Sequence, residues 1–103
     1  MGKTVSEAIE YRRSVRKYLD TDLNEEKVKN CIKNATLAPN SSNMQLWEFY
    51  HITDKKVLSQ LSKACFNQNA AKTAVNMVVF VTRRDKWKVR AKQNLDFLEN
   101  MFN

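Results

Sequence analysis

Met77 to Val81 reads Met-Val-Val-Phe-Val, a continuous apolar run of strand length. No polar residue alternates through it, so it is expected to be a strand buried on both faces. Such a strand needs neighbours in its sheet and helices over both sides. The chain holds one other clear strand, the aromatic-rich Trp47–Ile52. The demand for cover therefore exceeds what these 103 residues supply, and the fold is expected to extend beyond them.

The remaining segments read as helices with legible ends. Thr4 and Glu7 form a capping box, in which each side chain satisfies the other residue's backbone N–H, and the helix should end near Tyr11–Arg13. Gly2 and Ser6 loosely fit a myristoylation pattern, but the helix cap explains these residues better. Asn24 caps a second helix with Glu25 and Glu26 in its positive first turn. Its expected buried face is Val28, Cys31, Ile32, Ala35 and Ala38, and Pro39 stops it. Asp54 caps a third helix with Val57, Leu58, Leu61, Ala64 and Cys65 facing inward. A short helical piece is expected around Asn69–Thr73. A last helix starts near Asp85, with Trp87, Ala91, Leu95, Leu98 and Phe102 as its apolar stripe. The order of elements is that of an α/β or α+β fold, and residues 1–103 form part of one domain.

No apolar run is long enough to span a bilayer, and the first residues lack the apolar stretch of a signal peptide, so a cytoplasmic location is expected. Cys31 and Cys65 belong to no metal-ligand spacing and are expected as buried free thiols. Eighteen Lys and Arg against eleven Asp and Glu give a net charge of +7, which attracts anions without choosing among them.

Three segments carry candidate chemistry. In Arg12–Tyr18 (RRSVRKY), an extended backbone places Arg12, Ser14 and Arg16 on one side, with Arg13 beside them. Guanidinium forks bind phosphate oxygens bidentately and a hydroxyl adds a donor. In Ala38–Phe49 (APNSSNMQLWEF), Pro39, Asn40, Ser41 and Asn43 form a polar loop suited to the polar edge of a heterocycle. In Cys65–Val81, Asn67 and Gln68 end a helix ahead of the apolar strand. Taken singly, the three segments are better read as a solvated basic turn, a capped loop and a helix end.

In this order the three segments resemble the nitroreductase family of FMN-dependent enzymes. The family's R-x-S-x-[RK]-x-[YF] motif is matched by Arg12, Ser14, Arg16 and Tyr18. Its P-[SN]-S-x-N-x-Q-P-W-x-F loop is matched by Pro39, Asn40, Ser41, Asn43, Gln45, Trp47 and Phe49, with Leu46 where the family often has proline. The resemblance implies that Arg12 and Ser14 meet the FMN phosphate and that Arg16 reaches the pyrimidine edge of the flavin ring. It implies that Pro39, Asn40, Ser41 and Asn43 serve the flavin of a second subunit in a homodimer, and that Asn67 and Gln68 meet the ring's polar edge. Hydride would pass from NAD(P)H through FMN to a small acceptor such as a nitroaromatic or quinone, with no side-chain nucleophile required. His51, the single histidine, is then a structural residue. Family members are about twice this long, so the chain is expected to be a truncated form or minimal relative of doubtful activity by itself.

Two other classes compete. Arg83, Arg84, Lys86, Lys88, Arg90 and Lys92, opposed by Asp85 alone, suit a small nucleic-acid-binding protein. No zinc-ligand spacing or RNA-binding signature accompanies them, which favours a solvated basic face. A non-catalytic fragment that dimerises through exposed apolar helix faces is the third class.

Overall fold

The computed structural model describes residues 2–103. The helices are α1 (Val5–Tyr11), α2 (Glu25–Thr36), α3 (Lys55–Ala64), α4 (Asn69–Thr73) and α5 (Trp87–Phe102). The strands are β1 (Trp47–Ile52) and β2 (Met77–Thr82), and Ser41–Asn43 and Arg84–Lys86 are 3-10 turns. This is the mixed helix-and-strand architecture that the sequence implies.

The caps form as their chemistry dictates. Thr4 N–H donates to Glu7 Oε2 at 2.7 Å and Glu7 N–H donates to Thr4 Oγ1 at 3.3 Å. Asn24 Oδ1 accepts from Glu26 N–H and Asp54 Oδ1 from Val57 N–H. Helix α2 ends three residues before Pro39, because a residue ahead of proline is driven out of the helical region.

Strands β1 and β2 pair antiparallel, with Trp47 opposite Thr82 and Ile52 opposite Met77. They are joined through α3 and α4 rather than by a hairpin. Phe49 and Phe80 are direct cross-strand partners, edge to face with ring centroids 5.1 Å apart. Among the described residues the sheet has these strands alone.

Burial departs from the helical-face expectations. Val28, Leu58 and Ser62 are the only buried residues described. Cys31 and Cys65 are free but exposed, not buried. Strand β2, expected to be covered on both faces, leaves Phe80 71% exposed. The reason is common to all: the periodic faces exist, but no second layer lies over them. The radius of gyration is 18.2 Å, against about 13 Å for a compact domain of similar length. The accessible surface is 9261 Å², against roughly 6,000 Å² for a compact monomer of this mass. The chain thus exposes roughly 3,000 Å² more than that scaling gives.

Candidate functional site

The Arg12–Leu23 segment has no regular structure and lies on the surface. Its two hydrogen bonds to distant parts of the chain both end on α4. Asn69 Nδ2 donates to the Arg16 carbonyl at 3.0 Å, and Tyr18 N–H donates to Thr73 Oγ1 at 3.0 Å. The basic segment is thereby laid against the helix that follows Asn67 and Gln68, so two of the sequence-expected site segments are brought together. Asn69 and Thr73 did not stand out in the sequence. Their i, i+4 spacing would place them on one helix face, but five residues of helix give little pattern to read.

Within the segment the cations differ. Arg13 turns back on α1, its Nη1 donating to the carbonyls of Glu10, Tyr11 and Arg12, so it caps the helix C-terminus. Among the described residues, Arg12 and Arg16 have neither an ion pair nor a side-chain hydrogen bond, and the Ser14 hydroxyl is likewise unengaged. A pair of exposed, uncompensated guanidiniums beside a hydroxyl is suited to a phosphate or another anion.

The Pro39–Asn43 loop is built by Asn40. Its Oδ1 accepts from Gln45 N–H at 2.9 Å, and its carbonyl accepts from Asn43 N–H at 3.0 Å. Asn94 of α5 donates to the Ser42 carbonyl, tying that helix to the loop. No hydrogen bond or ion pair among the described residues joins this loop to Arg12–Arg16. Within one chain the first and second site segments therefore remain separate. Among the described residues, the side chains of Ser41, Asn43, Asn67 and Gln68 have no hydrogen-bond partner.

The backbone marks the same places. The positive-φ residues are Ser42 (50°), Asn43 (48°), Gln45 (54°), Phe66 (58°) and Asn67 (52°), and none is glycine. Asparagine tolerates the left-handed region, whereas phenylalanine pays about 1–2 kcal/mol for it. At Phe66–Asn67 the conformation closes α3, because Asn67 N–H then reaches the Ser62 carbonyl at 2.8 Å. Among the described residues, all five with positive φ fall in the two polar site segments, and left-handed backbone at residues other than glycine often accompanies function.

A cavity of about 810 Å³ lies behind α4, lined among others by Tyr18, Asp20, His51, Leu58, Thr73 and Asn76. Of the motif residues it takes in Tyr18 alone, and it contains none of the residues expected to meet the ligand. His51 Nε2 lies 2.5 Å from Asn76 Oδ1, an arrangement that calls for the ring proton on Nε2 and fits a structural role.

The basic run after β2 is largely self-compensated. Arg83 forks onto Asp85 through Nε at 3.0 Å and Nη2 at 2.8 Å, and also binds Glu48. The Arg83 fork holds the Asp85 carboxyl down at about 2. The Tyr50 hydroxyl, helped by Arg83, lowers the Glu48 carboxyl below its usual range. Lys86 approaches Glu48 at 3.8 Å and Lys92 pairs with Asp96 at 3.0 Å. Arg84, Lys88 and Arg90 remain as free cations among the described residues, a thin footprint for a polyanion. No group of side chains able to hold a metal ion occurs among the described residues, and no described helix is long and apolar enough to cross a membrane.

Known proteins resemble this chain in sequence and fold. A protein of Archaeoglobus fulgidus, named as an NADH dehydrogenase/NAD(P)H nitroreductase, is 35% identical over 69 residues, which are 66% of this chain and 40% of that protein. A structure from Parabacteroides distasonis, likewise named as an NADH dehydrogenase/NAD(P)H nitroreductase, superposes with a TM-score of 0.69 at 30% identity, covering 87% of this chain and 58% of that one. A nitroreductase-type structure from Exiguobacterium sibiricum, solved in complex with FMN, gives a TM-score of 0.72 at 24% identity over 99% of this chain and 58% of that one, a likeness of fold. The chain thus spans less than two thirds of the length of each relative. The family model described as "Nitroreductase family" matches residues 9–100, and on that match the chain belongs to the nitroreductase family.

Proposed function

We propose that this chain supplies the N-terminal half-site for FMN in an NAD(P)H-dependent oxidoreductase acting on small electron acceptors such as nitroaromatics or quinones. The observation that carries the reading is the docking of the Arg12–Tyr18 backbone onto α4, the helix that directly follows Asn67 and Gln68. The donor set fits the cofactor: cations and a hydroxyl for a phosphate, amides for the polar edge of a heterocycle. Arg12 and Ser14 would hold the phosphate, and Arg16 would place positive charge at the pyrimidine edge, where it stabilises negative charge. Bound FMN would supply the ring that accepts and passes on hydride. Ser41 and Asn43 lie on a loop with no link to the arginine segment of the same chain, which supports a role toward the flavin of a second copy. In a two-fold homodimer such an exchange gives two equivalent sites. The domain reading for residues 1–103 is that of the N-terminal part of this FMN-binding unit.

The test is to titrate the purified chain with FMN and follow its visible spectrum and flavin fluorescence. The expected result is a yellow complex bleached by NAD(P)H. Replacing Arg12 and Arg16 together by alanine should weaken FMN binding by about 10²- to 10⁴-fold, since each charge-assisted contact is worth about 1.5–3 kcal/mol, while the circular dichroism stays unchanged. A wild-type chain that takes up no FMN overturns the reading.

A further inference from the structure

We infer that Asn69 and Thr73 are positioning residues that clamp the arginine segment in its ligand-holding conformation, an inference that rests on the flavin reading above. The segment has no helix or strand to hold it, so its side chains are only as well placed as its backbone. Its backbone is fixed to the fold at two points, one residue apart from Lys17 on either side. The Arg16 carbonyl accepts from Asn69 Nδ2, and the Tyr18 N–H donates to Thr73 Oγ1. The Thr73 hydroxyl in turn donates to the Asn69 carbonyl at 2.8 Å, so it accepts from the segment and donates within α4 at once. That second bond orients the hydroxyl, leaving its lone pair directed at Tyr18 N–H.

The clamp also links two parts of the site. Helix α4 begins at Asn69, directly after Asn67 and Gln68. Asn67 is itself held in a left-handed turn by its bond to Ser62, one of the buried residues. A chain of bonded backbone therefore runs from the core at Ser62, through Asn67 and α4, to Arg16. A displacement of about 1 Å in a binding group degrades binding geometry strongly, so the clamp acts through Arg16 rather than by touching the ligand.

Thr73→Val keeps the shape and β-branching of threonine and removes the hydroxyl, whereas Thr73→Ser keeps the hydroxyl. In the full chain, Thr73→Val should weaken FMN binding about 5- to 10-fold, the loss of one or two ordinary hydrogen bonds, and should speed amide exchange at Tyr18. Thr73→Ser should restore both. Combined with Arg16→Ala, Thr73→Val should cost little more, because both act on one contact. If Thr73→Val binds FMN as tightly as wild type, or its effect adds in full to that of Arg16→Ala, the clamp is refuted while the flavin reading stands. Wild-type protein that binds no FMN removes the flavin reading and the clamp's purpose with it.

Discussion

Helix α5 offers the sharpest test of whether a second copy covers this chain. It runs for 16 residues without a single buried one, and isolated helices of about 12–15 residues are marginal in water. Leu98 lies on its apolar stripe and is 47% exposed. In a chain that stays alone, Leu98→Asp is a surface change worth no more than about 0.5 kcal/mol. Under a partner the account differs. Covering the exposed half of a leucine stabilises by about 1 kcal/mol, and an aspartate left beneath the partner without a donor costs roughly 2 kcal/mol or more. A two-fold interface counts the change twice. The dimer should weaken by about 6 kcal/mol, or some 10⁴-fold in Kd. Light scattering across a dilution series reads this directly. Wild-type protein that remains monomeric at every concentration, or a variant that dimerises as tightly as wild type, would refute the reasoning that α5 is a covered face.

Two further outcomes follow from the geometry. Asp85, held at about 2 from an ordinary 3.8, contributes stability that is fully present above about pH 4 and lost as the pH falls toward 2; in Arg83→Met its carboxyl titration by NMR should return toward 3.8, and a midpoint that does not move would rule out Arg83 as the cause. Phe66, at φ 58° and 89% exposed, should tolerate glycine with a gain of up to about 1 kcal/mol in urea unfolding; a loss of stability would show that its ring is covered in the folded protein.

What could be read from the sequence divides along a physical line. The caps at Thr4, Asn24 and Asp54 were legible because each is settled by side chains within three residues of the backbone group they satisfy. The strands and the short α4 followed from composition over five or six residues. Burial was not legible, since periodicity shows which face of a helix is apolar and not whether anything lies against it. Cys31, Cys65 and Phe80 sit where the pattern puts them and are exposed all the same. Likewise Arg13 has the same chemistry as Arg12 and Arg16, and only its backbone partners show that it is occupied with α1.

The same division explains the candidate site. Its chemistry is written in three short motifs, but their assembly depends on contacts more than fifty residues apart, such as Arg16 to Asn69 and Ser42 to Asn94. One such contact joins the first motif to the third. The other ties the second motif to α5, a helix with no buried residue among those described. If α5 docks on a second copy, the loop fixed to it through Ser42 is carried to that copy as well. Cover for the helix and delivery of the loop then become one event. Leu98→Asp should therefore weaken FMN binding along with association, although Leu98 belongs to none of the three candidate segments. A variant that lost the dimer and kept its full affinity for FMN would show that the half-site works without a partner's loop.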